Sequence, residues 1–287
     1  MNSKTFFHLL TIMMVAMVFV LFSSCNNDDD NKVNSPIIPL DITVNGKQLV
    51  RINSTMNQSN STTLLQYNSN GQLSKTNNKN DDYKASDFLY SYESRRIIMS
   101  GAFDEIFKLN GGRIVESDYT VELWDNDKNG PTKITTVDAK DTYEYDNNGY
   151  LTKVTRPDDY TATEWYNSEY SLTWQDGNIS KIRIFGNGYD LSEEHVISYT
   201  SHPNTIPFIF TDFTFCNVFL GWQGYFGKRC KNLPAKEVVK YNLADHGLHI
   251  PNTITFTYDY TIEDGLVTKV IKKWGSQSTT VYELEWY

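Results

Sequence analysis

Apolar and polar residues alternate through much of the chain, as they do in β-strands that bury one face. The clearest case is residues 253–262, where Ile254, Phe256, Tyr258, Tyr260 and Ile262 share one face and Thr253, Thr255, Thr257, Asp259 and Thr261 share the other. Residues 119–123, 170–174 and 282–286 alternate in the same way. The pattern predicts an all-β chain with about a dozen antiparallel strands in one large meander, forming a barrel-like or strongly curved sheet.

A short turn phrase recurs between these strands. In one copy, Tyr145 is followed by Asp-Asn-Asn, Gly149, Tyr and Leu151. An aromatic residue ends one strand, Asp or Asn opens the turn, and Gly takes the left-handed conformation that a bulged return strand requires. The expected turn glycines are Gly46, Gly71, Gly112, Gly149, Gly177 and Gly265. Gly46 follows Asn45 in a dipeptide that is typical of a two-residue hairpin, here between residues 41–44 and 47–52.

The residues that follow the turn raise a question of register. Leu151 and Val154 are three positions apart, and so are Ile179 and Ile182. In a regular strand such residues point to opposite faces of the sheet. Either a bulge restores the register, or both faces of the sheet are partly covered.

Residues 211–226 break the alternation, because they carry eight large apolar residues without a period of two. Phe215, Val218, Phe219 and Trp222 are spaced by three and four residues, which favours a helix. We expect a short helix near 212–223, from Asp212 to Gln223, that plugs or caps the sheet. A buried central strand is the alternative.

Composition supports the β class. The chain has only seven Ala among 287 residues, and aromatic residues make up 14% of it. Ala is the best helix former and aromatic residues favour strands, so a helix bundle or a coiled coil is excluded. The net charge of -9 argues against a nucleic-acid partner, because phosphate binding requires a basic surface.

The first 24 residues are typical of a secretory signal peptide, with Lys4 before an apolar run at 6–22. An uncleaved membrane anchor is the alternative. Ser23-Ser24-Cys25 resembles the lipobox of bacterial lipoproteins, which implies cleavage between Ser24 and Cys25 and lipidation of Cys25. Residues 25–40 form an acidic, flexible tether before a single β-domain of hairpin repeats at 41–287. Its run Asp28–Asp30 resembles the surface-export signal of lipoproteins from Bacteroidetes-type bacteria.

Residues 41–287 as a whole resemble a family of Bacteroidetes lipoproteins known as a domain of unknown function with a porin-like fold. The lipobox, the turn phrases at Gly71, Gly149, Gly177 and Gly265, and the aromatic stretch 224–228 with Asn232-Leu233-Pro234 carry the resemblance. It implies an all-β, barrel-like antiparallel sheet and offers no catalytic residue. With the lipobox it implies an outer-membrane lipoprotein, exposed on the cell surface or, alternatively, on the periplasmic face.

Two groups of residues are candidates for a disulfide bond and for a calcium site, respectively. Cys216 and Cys230 remain after lipidation, and an even pair in an oxidising compartment can form a disulfide. The alternative is one buried and one exposed thiol. Asp125, Asp127 and Asn129 spell the start of a calcium loop, but the Glu expected at its twelfth position is Thr136, and a polar hairpin turn is the alternative.

The remaining candidates have plain structural interpretations. His246 and His249 have a metal-ligand spacing, but the intervening Gly and the following Pro indicate a loop with solvated side chains. Residues 193–195, Glu-Glu-His, also read as a charged loop. Trp165, Trp174 and Trp222 are candidates for a platform that stacks sugar rings, with packing in the core as the alternative.

No nucleophile elbow, phosphate loop or dinucleotide fingerprint is present in the sequence. We therefore expect a protein that is not an enzyme, has no cofactor and binds a glycan, peptide or protein partner. It would touch the membrane through its lipid anchor alone. The alternatives are a structural or accessory subunit of an outer-membrane complex, a hydrolase without a recognisable motif, and a barrel that spans the membrane.

Overall fold

The structure is a computed structural model that describes residues 42–56, 59–80, 83–127, 130–156, 169–186, 191–207, 217–241, 253–275 and 278–287, with the backbone alone at 83–84, 121–127 and 130–135. The described residues form sixteen strands and one short helix. The strands are β1 (Leu49–Met56), β2 (Ser59–Tyr67), β3 (Leu73–Asn80), β4 (Tyr83–Tyr92), β5 (Arg96–Gly101), β6 (Glu105–Asn110), β7 (Arg113–Asp127), β8 (Gly130–Tyr145), β9 (Leu151–Thr155), β10 (Glu169–Gln175), β11 (Asn178–Phe185), β12 (Leu191–Pro203), β13 (Asn232–Tyr241), β14 (Thr253–Glu263), β15 (Leu266–Trp274) and β16 (Ser278–Trp286). The helix, α1 (Val218–Trp222), lies in the connection between β12 and β13.

Each strand pairs with the next in sequence, and β16 pairs with β1, so the sheet closes into a barrel. This confirms the all-β, barrel-like meander. The predicted number of strands, about a dozen, was too low, since sixteen are present. The number of strands is hard to count from the sequence where alternation is weak, as it is in β3. Its sequence, LSKTNNKN, has one large apolar residue, and the buried position that follows Leu73 is Thr76.

A bulge after each turn phrase resolves the question of register. In β9, Leu151 lies opposite Tyr145 and Lys153 lies opposite Glu144, so Thr152 is an extra residue. Leu151 and Val154 therefore both face the interior, and both are buried. The equivalent extra residues are Val50, Ser74, Val115, Ser180, Ala235 and Thr268. The bulge shifts the strand by one position, so a spacing of three keeps both apolar side chains in the core.

Aromatic side chains hydrogen-bond to these bulges. Tyr67, Tyr92, Tyr145, Trp174, Tyr199, Tyr260 and Trp286 donate to the backbone oxygens of Leu49, Leu73, Ile114, Leu151, Ile179, Pro234 and Val267, respectively. Each acceptor immediately precedes the extra residue of a bulge, and each donor lies on the following even-numbered strand. We call these seven aromatic residues the aromatic belt. Burial raises the pKa of Tyr67, Tyr92, Tyr199 and Tyr260, which keeps their hydroxyl groups protonated as donors.

Residues 217–231, which we call the plug, pack against the turns at the belt end of the barrel. The Tyr225 oxygen accepts from the Ile114 N–H at 2.8 Å, and the Lys228 N–H donates to the Gly149 oxygen at 3.0 Å. Leu220, Trp222, Tyr225 and Phe226 are buried in the common core. The prediction that this segment plugs the sheet agrees with these contacts.

The helix in the plug is shorter than the predicted 212–223. Asn217 has an extended conformation and its Oδ1 accepts from the N–H groups of Phe219 and Leu220, so Asn217 caps a helix that begins at Val218. The helix ends at Trp222, and Gly224 then has a φ of 85°. Residues 208–216 lie outside the described part of the chain. No described helix is long and apolar enough to cross a membrane.

Candidate functional site

The interior of the barrel contains a group of ionisable side chains contributed by four adjacent strands. His195 on β12 has Nδ1 2.8 Å from Glu237 Oε1 on β13 and Nε2 3.2 Å from Glu193 Oε2. Tyr258 on β14 donates its hydroxyl to Glu237 Oε2 at 2.7 Å. Lys272 on β15 is also buried, and its charge favours the ionised form of Glu237. We call these five residues the His195 cluster.

Electrostatics makes this cluster an ion network. Burial lowers the pKa of His195, but its hydrogen bonds to Glu193 and Glu237 outweigh this and raise it to about 9. Burial opposes the ionisation of Glu237, yet the bond to His195 holds the pKa of that carboxyl below its usual range. At neutral pH His195 is therefore an imidazolium between carboxylates. Both ring nitrogens carry protons, so it has no lone pair with which to act as a general base.

A second polar group lies inside strands β6 to β9. Arg156 binds Asp141 through two hydrogen bonds, at 2.9 and 2.8 Å, and both side chains are buried. Tyr119 donates to Asp141 at 2.9 Å. Glu105 is nearby, and burial raises its pKa to about 8 against a hydrogen bond from Ser117 that lowers it. We call these residues the Asp141 cluster. Its charges, like those of the His195 cluster, are neutralised mainly by one another.

The prediction of a solvated loop at Glu193, Glu194 and His195 is wrong. The three residues lie in β12, where His195 is 3% exposed and Glu194 faces outward. A signal for this was present, since the alternation of Tyr199 and Ile197 extends back to His195 and Glu193. Glu237 is likewise two positions before the buried Val239. Because charged residues are usually exposed, their charge obscures this alternation in the sequence.

The six predicted turn glycines all have positive φ, from 74° at Gly71 to 85° at Gly149. Asn45 and Gly46 both adopt positive φ, and Val44 and Lys47 bond to each other across them. This turn is joined by a single bridge rather than by two full strands, because β1 begins only at Leu49.

The tryptophan platform does not form on the described surface. Trp222 is 4% exposed and belongs to the core, as the alternative interpretation has it. Trp174 is half-buried, donates from Nε1 to the Leu151 oxygen at 2.6 Å and lies 4.5 Å from the ring of Tyr150. These two residues therefore serve packing and the aromatic belt. Trp165 lies outside the described residues.

The other candidates remain predictions. Asp125 and Asp127 lie in β7 and pair with Thr132 and Gly130 of β8, whereas Asn129 lies outside the described residues. Within the described part of the chain, no three His, Cys, Asp or Glu side chains are grouped to hold a metal ion. Cys230 is buried, and its Sγ accepts from the Ile179 N–H at 3.4 Å. The remaining predicted residues, Ser24, Cys25, Cys216, His246 and His249, lie outside the described part.

Where the structure describes its side chains, the outer wall of the barrel is mainly polar and charged, with Leu89 and Val196 as exposed apolar exceptions. On β14 the outward residues are Thr and Asp, while the inward ones are Ile254, Phe256 and Tyr258. Ion pairs join neighbouring strands across this wall, as between Arg51 and Glu285. Others join Lys75 to Asp87, Lys108 to Glu116, Lys153 to Glu169, Lys181 to Glu194 and Lys273 to Asp259. A barrel that spans a membrane has the opposite distribution, with an apolar band facing the lipid.

Comparison with known proteins agrees with this architecture. A porin-like protein from Bacteroides uniformis superposes with a TM-score of 0.57 at 16% identity, covering 83% of this chain and 96% of its own. A porin-like protein from Bacteroides vulgatus gives 0.56 at 13% identity, covering 83% and 98%. None of the curated proteins matches the chain significantly. The sequence profile of one family, "Domain of unknown function (DUF4595) with porin-like fold", matches residues 107–269, which is more than half of the chain. The chain therefore belongs to this family of domains of unknown function with a porin-like fold.

Proposed function

We propose that the chain is an outer-membrane lipoprotein. Its barrel lies in aqueous solution, outside the bilayer, and is a binding module for a glycan, peptide or protein. The observation that carries this proposal is the distribution of side chains between the outer and inner faces of the barrel wall. Its outward side chains carry ion pairs between strands, and its inward side chains form an apolar core. Placing such a wall in hydrocarbon would strip water from many charges, at a cost of about 2 to 4 kcal/mol for each Lys or Arg near the bilayer centre.

The plug is a second observation in favour of a binding module, because it fills the end of a barrel that would have to be open to conduct solutes. It is bonded to the turns that contain Gly71, Gly149 and Gly177, and its apolar residues enter the core. The similarity to porin-like proteins is a similarity of backbone fold. The buried core favours a stable scaffold over a water-filled channel.

The interior chemistry supports a role without catalysis. His195 has both nitrogens engaged by carboxylates, and Arg156 is held by both oxygens of Asp141. An enzyme needs at least one acid, base or nucleophile with a free position toward its substrate. In the two clusters the ionised groups are directed at each other, which stabilises the fold.

The anchor completes the proposal. Ser23-Ser24-Cys25 marks the site of cleavage and lipidation, and residues 25–40 supply the tether. With the acidic run Asp28–Asp30, we propose exposure on the cell surface, with the periplasmic face as the alternative. Protease treatment of intact cells separates the two, because only a surface-exposed barrel is digested while the cells are whole.

Solubility without detergent tests whether the outer wall of the barrel faces water. Residues 25–287 carrying Cys25→Ala should remain monomeric in detergent-free buffer during size-exclusion chromatography. The matched control is the lipidated chain, which should partition into a detergent phase. If the unlipidated chain aggregates without detergent and disperses only with it, the proposal of a barrel in water fails. Binding on glycan and peptide arrays then identifies the ligand, and turnover of a bound polymer would contradict the non-catalytic part.

A further inference from the structure

One part of the outer wall departs from the acidic character of the chain. On strands β11 to β13, Lys181, Arg183, Lys236 and Lys240 face outward around a single acid, Glu194. These five residues, which we call the basic face, have a formal charge of +3, in a chain whose net charge is -9. Val196, which is 37% exposed, lies at the centre of the basic face, between Lys181 and Val238 on the neighbouring strands.

The internal ion pairs leave most of this positive charge unneutralised. Glu194 contacts Lys181 at 3.2 Å, Arg183 at 3.1 Å and Lys240 at 3.9 Å. One carboxylate therefore serves three bases. Lys236 is exposed and forms no ion pair with any described residue. Several bases elsewhere on the wall are matched by acids, as Arg51 is by Glu285 and Lys273 by Asp259.

The outward residues that directly border the basic face carry hydroxyl groups. Ser171 and Thr173 face outward on β10, opposite Arg183 and Lys181. On the other side, Thr253, Thr255 and Thr257 on β14 lie opposite Lys240, Val238 and Lys236. The bases are spread over about 13 Å along the strands and about 10 Å across them. The surface is a pleated sheet with side chains that donate and accept hydrogen bonds at both borders.

We propose that the basic face binds an anionic polysaccharide, one that carries a carboxylate on its sugar units. Charge complementarity selects an anion, and the rows of hydroxyl groups provide partners for sugar hydroxyls. Nucleic acid is disfavoured, because a duplex carries one phosphate charge about every 1.7 Å, a density that a face with a formal charge of +3 cannot match. The inference rests on the proposed role as a binding module, and it names the surface and the chemistry of the partner.

The test uses polygalacturonate as the probe and the full-length chain in a nonionic detergent. The double variant Lys236→Glu with Lys240→Glu removes the two bases that depend least on other side chains for their position. The matched control is Lys47→Glu with Lys79→Glu, which changes the net charge equally at exposed or outward-facing positions on the other side of β16. Titration calorimetry at low ionic strength measures affinity, and thermal unfolding checks that all three proteins are folded. Neutral pullulan serves as the uncharged polymer.

We expect the wild-type protein to bind polygalacturonate and not to bind pullulan. The basic-face variant should lose about tenfold or more in affinity, while the control variant should change by less than about threefold. Equal losses in the two variants would show that net charge alone matters and would overturn the inference. So would an absence of polygalacturonate binding. These outcomes leave the solubility test of the binding module unaffected, so the two proposals fail separately.

Discussion

Nδ1 of His195 lies 2.8 Å from Oε1 of Glu237 inside the barrel, on the neighbouring strand. The pair is buried, and the other oxygen of Glu237 accepts the hydroxyl of Tyr258. Because each charged atom has a partner, the network satisfies groups that would otherwise be costly to bury. It joins β12, β13 and β14 through side chains in addition to the backbone ladder.

Removing one charge from this pair should destabilise the fold strongly. Glu237→Gln leaves the imidazolium of His195 without its buried counterion, and the expected loss is about 3 to 5 kcal/mol in the free energy of unfolding. Urea denaturation measures it. The matched control is Glu285→Gln, which breaks the exposed pair with Arg51 and should cost less than about 1 kcal/mol. Equal losses for the two variants would show that the interior pair is not an ionised network.

The same network predicts that stability falls as the pH becomes alkaline. The pKa of His195 is about 9 in the folded state, whereas its ordinary value of 6.5 applies in the unfolded chain. Its contribution is therefore complete below about pH 6.5 and is lost as the pH rises through 9, with an expected decrease of roughly 1 to 3 kcal/mol. Urea midpoints on either side of this range measure the decrease, and an NMR titration should show a histidine resonance with a midpoint near 9.

A second group titrates in an overlapping range, so the pH experiment needs a background variant. Burial raises the pKa of Glu105 from 4.5 to about 8, so its ionisation in the folded state lowers stability as the pH rises from about 4.5 to 8, a range that overlaps the lower part of the His195 titration. The comparison is therefore made between Glu105→Gln and the double variant Glu105→Gln with His195→Gln. The alkaline decrease should be present in the first and smaller in the second. If both show the same decrease, His195 is not its source.

The aromatic belt predicts a measurable cost for the loss of one hydroxyl group. Tyr260→Phe removes the donor to the Pro234 oxygen, a hydrogen bond of 2.7 Å, and keeps the ring. We expect a loss of about 1 to 2 kcal/mol, because a half-buried carbonyl loses its partner. Tyr67→Phe should behave similarly, since its hydroxyl donates to the Leu49 oxygen at 2.7 Å. Tyr287→Phe is the control, as Tyr287 is 92% exposed. No difference between the belt variants and the control would mean that the bonds add no stability.

The sequence predicted those parts of the fold that depend on local pattern. Alternation located strands such as β14, and the turn phrase placed Gly149 and Gly177 in left-handed turns. The bulge was one of two alternatives, because a spacing of three residues does not itself show which side chains are buried. The partner of each belt residue was not predictable. Tyr199 on β12 bonds to Ile179 on β11, and this relation exists only once the two strands are paired and β11 carries its bulge at Ser180 against β10.

The interior clusters were missed for a different reason. Pattern analysis treats Glu, His and Lys as exposed, whereas His195 and Glu237 are buried because they neutralise each other. The neutralising partner lies 42 residues away in sequence. A search for charged residues in phase with apolar alternation on two predicted neighbouring strands would have found Glu193, His195 and Glu237 together. Their role as an ion network required the distances.

Gly227 of the plug lies against the turn that contains Gly149. Gly227 has a φ of +83°, and a Cβ there would lie 2.5 Å from the Gly149 oxygen and 3.0 Å from the ring of Tyr145. Gly227→Ala should therefore cost about 2 to 4 kcal/mol, from backbone strain and from displacement of the plug. Gly111→Ala is the matched control, with a φ of +57° and no atom within 4 Å, and should cost about 1 kcal/mol from strain alone. Urea unfolding of the two variants isolates the cost of the contact as their difference. If Gly227→Ala costs no more than Gly111→Ala, the plug does not depend on its fit against the Gly149 turn.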